Sequence, residues 1–187
     1  MIFTIPNIIS MIRIAAVPWF LWLLLGADDP AFAGWVLVAI GATDWIDGFL
    51  ARRLNQVSEL GKMLDPVADR LAIVAALVGG WIAGVLPWWV AGLLLVREVL
   101  VGLLTLYLAS RTSERIEVRY LGKAATWAVY GGVASFYIHA GTGWAFFEWW
   151  SWIYIIPGLT LYYAVLIQYV GDARRMLGEG NAPVSSG

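Results

Sequence analysis

Six apolar stretches, each long enough or nearly long enough to cross a lipid bilayer at about 20 residues, limit what this chain can become. They fall near residues 5–26, 31–54, 60–83, 87–109, 120–140 and 149–172. Short turn-forming runs separate them: Gly26-Ala-Asp-Asp-Pro30, Gly84 to Pro87 and Gly141-Thr-Gly143. A soluble fold of 187 residues that are 61% hydrophobic could not hide so much apolar surface. Charged residues are 13% of the chain and its mean hydropathy is +0.76. The pattern predicts an all-α polytopic membrane protein with six transmembrane helices. Residues 1–175 form one domain, and 176–187, rich in small and polar residues, read as a disordered tail. The first stretch lacks the basic start and small-residue cleavage site of a signal peptide.

Basic residues alternate between the connections. Arg52, Arg53 and Lys62 lie around the second connection, Arg111, Arg115, Arg119 and Lys123 around the fourth, and Arg174 and Arg175 near the C-terminal end. The other three connections carry Asp28, Asp29 and Glu148 and no Lys or Arg. By the positive-inside rule both termini and the 51–62 connection face the cytoplasm. The aspartates flanking that connection then sit at or just below the cytoplasmic surface.

Asp44 and Asp47 are three apart, and Asp65 and Asp69 four apart, so each pair shares a helix face. The intervening connection is short enough to set the two helices antiparallel, with both pairs able to face each other. Four carboxylates in a half-buried space repel, and two divalent cations would neutralise them. An all-oxygen set suits Mg²⁺, Mn²⁺ or Ca²⁺, and Mg²⁺ is commonly shared between carboxylates and substrate phosphates. The chain has no Cys and one His, which leaves no thiolate or His-cluster metal site. Gly34, Gly41 and Gly48 repeat every seven residues and allow close approach of a neighbouring helix. Gly48 and Ala51 also clear space for a bulky ligand, and Arg52 can meet a phosphate with its planar fork.

Arg13, Arg97 and Glu98 lie inside apolar segments, where charge is costly and faces the bundle interior. For Arg97 and Glu98, a structural role in helix register weighs evenly with a role in the site. Trp88, Trp89, Trp144, Trp149, Trp150 and Trp152 read as interfacial belts. His139 reads as an interfacial residue, and Glu59 as a solvated loop charge.

Asp44-Trp-Ile-Asp47-Gly48-Phe-Leu-Ala51-Arg52, eight residues, then Gly61-Lys-Met-Leu-Asp65-Pro-Val-Ala-Asp69 resembles the signature of the CDP-alcohol phosphatidyltransferases at every defining position and gap. Thr4-Ile-Pro-Asn7-Ile-Ile-Ser-Met-Ile-Arg13 is similar to the opening of phosphatidylglycerolphosphate synthases and CMP-forming cardiolipin synthases. Leu54 to Pro66 and Leu121-Gly-Lys-Ala-Ala-Thr126 look most like the cardiolipin synthases of actinobacteria. The resemblance implies that Asp44, Asp47, Asp65 and Asp69 hold Mg²⁺ or Mn²⁺, two ions in all, with Asp69 as general base. CDP-diacylglycerol would be the donor, bound by Asn7, Gly48, Ala51, Arg52 and Gly61, with Arg13 able to join. Phosphatidylglycerol would be the acceptor, giving cardiolipin and CMP, with glycerol 3-phosphate as the alternative. Arg111, Arg115, Arg119 and Lys123 suit either anionic acceptor, or contact anionic lipid headgroups. The resemblance also implies a homodimer in the bacterial plasma membrane with the site facing the cytoplasm; nothing points to nucleic acid.

Two other readings compete. An intramembrane prenyltransferase also uses paired aspartates and Mg²⁺, but six spans look too few, and Gly48, Ala51, Arg52 and Gly61 would go unexplained. A cation transporter needs polar positions across the whole bilayer, whereas Val36 to Ile40 and Leu71 to Val78 are apolar.

Overall fold

A computed structural model describes the backbone of residues 5–54, 59–110 and 120–179, and the side chains of 11–43, 68, 70–108, 110, 122 and 124–173. The described residues form six helices and no strand: α1 (Ile5–Leu25), α2 (Pro30–Leu54), α3 (Glu59–Ile82), α4 (Trp88–Ala109), α5 (Tyr120–Thr142) and α6 (Ala145–Glu179). Five of the six expected segments match to within two residues at each end. The last begins earlier and runs further than 149–172. Glu148 falls in its first turn, where a carboxylate favours the helix dipole, and the helix continues through residues 176–179 of the expected disordered tail; 180–187 lie outside the described residues. Glu59, expected in a loop, is the first residue of α3.

Short connections at 26–29, 83–87 and 143–144 make successive helices antiparallel and define one end of the bundle, here the distal end. The 26–29 turn closes with the Asp29 carboxylate accepting a hydrogen bond from the Phe32 N–H at 2.9 Å, a cap on the first turn of α2. Each helix sends at least one side chain into a common apolar core, among them Phe20, Leu37, Leu77, Leu94, Val133 and Ile155. The outward faces are equally apolar: Ile82, Leu103, Leu106, Ile156 and Ile167 are all exposed. Two described stretches, Trp88–Leu108 and Ala145–Ala173, are long and apolar enough to cross a membrane, and only 28% of each is buried. Burial that low is unlike the core helix of a soluble protein. Hydroxyls along the helices bond back into their own turns, as Thr105 does to the Val101 carbonyl (2.7 Å) and Ser151 to Phe147 (2.7 Å). That pairing removes polar groups that an apolar solvent could not satisfy.

The tightest packing joins α5 to α6 and α2 to α5, and small residues make it possible. A Cβ on Gly34 would meet the Tyr137 Cβ at 2.9 Å and the Ala134 carbonyl oxygen at 3.0 Å. On Gly41 it would meet the Tyr130 ring at 3.3 Å, so these members of the seven-residue glycine repeat face a neighbouring helix as expected, and that helix is α5. Across the core the Tyr137 hydroxyl donates to the Ala76 carbonyl at 2.5 Å, tying α5 to α3. α1 packs broadly on both α2 and α3, which barely touch each other among the described residues.

The aromatic belt is real at the distal end, where Trp22, Trp35, Trp81, Trp88, Trp144 and Trp149 are exposed. Trp152 departs from it, half-buried, and exposed Trp89 packs against it. They stack on each other with centroids 5.7 Å apart, and Trp152 packs edge-on against buried Phe136, so this pair joins α4 to α6. His139 lies at the same end, its Nδ1 3.2 Å from the Trp144 carbonyl oxygen.

Gly34→Val should lower stability by about 1–3 kcal/mol, the usual cost of overpacking. Gly92, where an added Cβ meets nothing within 4 Å, should accept valine without loss; thermal unfolding in detergent compares the two.

Candidate active site

The four aspartates stand at the opposite end of the bundle, on the helical backbones of α2 and α3, with their side chains outside the described residues. Helical register nevertheless places them. Asp44 follows buried Leu37 and Ile40 by seven and four residues, and Asp47 follows buried Val36 and Ile40 by eleven and seven. On α3, Asp69 precedes buried Ile73 and Ala76 by four and seven, and Asp65 precedes Ala68 and Ala72 by three and seven. Residues at these spacings share a helix face. Both pairs therefore continue the core-facing stripes of their helices.

Depth agrees as well. At 1.5 Å per residue, Asp44 and Asp69 lie roughly 20 Å from the distal ends of α2 and α3, and Asp47 and Asp65 roughly 26 Å. The pairs thus match level for level across two antiparallel helices, Asp44 with Asp69 and Asp47 with Asp65.

α1 brings charge of the opposite sign. Arg13 is 2% exposed, the largest fully buried side chain among the described residues, and sits roughly 18 Å from the distal end by the same rise. α1 packs on both aspartate helices, which places a buried guanidinium on the helix between them at nearly the depth of Asp44 and Asp69.

A second polar group lies at similar depth. Arg97 donates to the Glu98 Oε1 at 2.5 Å, and the Arg70 Nη1 stands 3.9 Å from Glu98 Oε2 and 3.4 Å from the Glu98 carbonyl oxygen. The Arg97 guanidinium lies 3.8 Å over the Tyr162 ring, and the Tyr162 hydroxyl reaches the Thr126 hydroxyl at 3.4 Å. The cluster connects α3, α4, α6 and α5. Arg97 and Glu98 were legible in the sequence as charges needing partners. Arg70 was not singled out, because it adjoins Asp69 where charge is expected; the signal for it was the lone carboxylate of Glu98.

Distal to the aspartates the interior closes. Phe20, Leu37, Ala76, Leu77 and Tyr137 fill it, and no polar path leads on through the described residues. A groove of about 870 Å³ runs along the flank between α2, α5 and α6, lined by Trp35, Trp127, Phe147 and Tyr154 among others. It is apolar and includes none of the aspartate positions.

A sequence profile of the CDP-alcohol phosphatidyltransferases matches residues 3–165. The chain belongs to that family. It is 39% identical over 183 residues to the CMP-forming cardiolipin synthase of Streptomyces coelicolor, covering 94% of this chain and 85% of the relative. A putative cardiolipin synthase of Mycobacterium tuberculosis is 32% identical, with 98% and 92% covered. The CDP-diacylglycerol–glycerol-3-phosphate 3-phosphatidyltransferase of Bacillus subtilis is 36% identical over 73% of this chain and 78% of its own length. The protein is therefore a phosphatidyltransferase of phospholipid biosynthesis, and the prenyltransferase and transporter readings fall away.

Divalent-metal dependence is general to the family. The residue types fit a hard cation: four aspartates fall on two helices at one end of the bundle, the chain lacks Cys, and its one His stands at the distal end. Of the other expected site residues, Gly48, Ala51 and Arg52 lie on α2, Gly61 on α3, Asn7 on α1 and Lys123 on α5, with side chains outside the described residues. Arg111, Arg115 and Arg119 lie outside the described residues altogether.

The level matching is open to a direct test, because the chain has no cysteine to interfere. Asp44→Cys with Asp69→Cys, and Asp47→Cys with Asp65→Cys, should cross-link with a short bifunctional thiol reagent. The crossed pairs, 44 with 65 and 47 with 69, should react more slowly on gel-shift assay.

Proposed function

We propose that the protein transfers the phosphatidyl group of CDP-diacylglycerol to a hydroxyl of phosphatidylglycerol, forming cardiolipin and releasing CMP. The observation that supports this reading is the register of both aspartate pairs, which stand on the α2 and α3 backbones at matched distance from the distal end and at helical spacing from buried residues. The choice of acceptor rests on likeness to the relatives named cardiolipin synthase, which extends over nearly the whole chain. α1 to α5 have 21–25 residues, roughly 32–38 Å at 1.5 Å each, enough to span the hydrocarbon core. With α6 that makes six spans in a bacterial plasma membrane, both termini and the aspartate end in the cytoplasm, where CDP-linked substrates are found.

Asp44, Asp47, Asp65 and Asp69 would hold Mg²⁺ or Mn²⁺, two ions in all, and when bound these supply charge neutralisation for the donor's pyrophosphate. Gly48 and Ala51, which carry little or no side chain, leave room for the nucleotide beside the carboxylates. Gly61 does the same from α3, while Arg52 and Asn7 bind donor oxygens and buried Arg13 adds positive charge. Asp69 takes the proton of the acceptor hydroxyl. The acceptor oxygen bonds to the lipid-side phosphorus as the bond from that phosphorus to CMP breaks. Arg111, Arg115 and Arg119, which precede α5 in the chain, and Lys123 on α5 draw in the anionic acceptor. Glycerol 3-phosphate is the second reading for the acceptor, on the strength of the Bacillus subtilis likeness.

Purified protein with CDP-diacylglycerol and Mg²⁺ or Mn²⁺ should release CMP when phosphatidylglycerol is added. Asp69→Asn should lower the rate roughly 10²–10⁴-fold, the usual contribution of a general base. Release with glycerol 3-phosphate alone would reassign the acceptor, and release with neither would sink both readings.

A further inference from the structure

We propose that Glu98 is a positioning residue for the aspartate site. It acts through Arg70, which fixes the height and rotation of the α3 turn that carries Asp69. The inference rests on the reading of Asp69 as the base, and it assigns work to a cluster that the reaction itself does not use.

Glu98 is held from behind. One carboxylate oxygen takes the Arg97 guanidinium, which lies over the Tyr162 ring of α6. α4 is pinned to α6 a second time where the Tyr163 hydroxyl donates to the Leu93 carbonyl at 2.9 Å. The remaining Glu98 oxygen and the Glu98 carbonyl both face Arg70, which follows Asp69 in the chain. α4 also makes room for that guanidinium, since a Cβ on Gly102 would stand 3.1 Å from the Arg70 Nη1. Side chain, backbone and a missing side chain on α4 thus converge on one cation of α3.

Packing alone does not hold α3 on this side. It packs broadly on α1 and only sparsely on α4. Its buried stripe carries Ala68, Ala72 and Ala76, small residues that let helices approach but resist sliding weakly. Charges within a span are costly, about 2.5–3.5 kcal/mol each on insertion scales. A paired cluster of them is a poor source of stability, and its best-attested use is to set register. The consequence reaches Asp69 directly. Successive residues on a helix point about 100° apart at 3.6 per turn, so position 69 is bracketed by buried Ala68 and clamped Arg70. A base must stand within hydrogen-bond reach of its proton, and a small rotation of this turn would lose it.

The test pairs kinetics with a readout that needs no activity. Glu98→Gln and Arg70→Met should each lower kcat roughly 10–100-fold, as misplacement of a reacting group does. KM for CDP-diacylglycerol should move little, and the double variant should be no worse than either single one. Arg70→Lys should restore part of the rate. Gly102→Val keeps every charge but displaces the guanidinium, so it should lower kcat with an unchanged melting temperature even where the charge variants fold poorly. Leu103→Ala, on the exposed face of α4, should match wild type. In the Asp44→Cys/Asp69→Cys background, Glu98→Gln should slow cross-linking. That readout stands even if the wild type releases no CMP, so failure of the functional reading stays distinguishable. Wild-type kcat together with wild-type cross-linking in folded Glu98→Gln and Gly102→Val would overturn the proposal.

Discussion

Helices surrounded by lipid gain nothing from hiding leucine against leucine, because the solvent is as apolar as the interior. What holds such a bundle is close contact between backbones and the few polar groups that have no partner outside it. This chain uses both. Gly132 and Gly141 stand where an added Cβ would meet Ile155 Cγ1 at 2.5 Å and the Ala31 N at 2.4 Å, so α5 lies almost directly on α6 and on the start of α2. The bond from the Tyr137 hydroxyl to Ala76 then reaches across to α3. Large aliphatic side chains are left to face outward, as Leu106 and Ile167 do.

That distribution decides where chemistry can happen. The distal part of the interior is filled, and its aromatic rim is exposed at the end away from the aspartates. Among the described residues the buried charges, Arg13 and Arg97, lie in the other part, in two groups. Arg13 lies on the helix between the two that carry the aspartates, and the Arg70–Glu98–Arg97 cluster braces α3 from the opposite side.

The two arginines flanking Glu98 also show how one carboxylate can serve two helices. Its oxygens are divided between a cation of its own helix and one of the neighbour, which leaves the cluster one positive charge in excess. That excess lies one residue from Asp69.

Much of this was legible before any coordinates. Six helices followed from apolar stretches of bilayer length, because lipid leaves the backbone almost no other way to satisfy its hydrogen bonds. The carboxylate faces followed from spacings of three and four, and the family from eight residues at fixed gaps. The glycine repeat correctly marked a close helix contact, but its partner, α5, is some ninety residues away and no local pattern names it. The start of α6 was misjudged because Phe146 to Trp152 is as favourable to a helix as to an interfacial loop. Trp152 was assigned to a belt for the same reason: an aromatic near a helix end serves either the interface or a neighbouring helix, and only packing separates the two. The clamp on Arg70 belongs wholly to tertiary structure. Residues 70 and 98 are 28 apart in the chain, and what joins them is the height at which two helices happen to pass. Sequence determines which residues are costly to bury, because that is a property of each side chain. Which of them meet, and so relieve the cost, depends on the order of helices around the bundle.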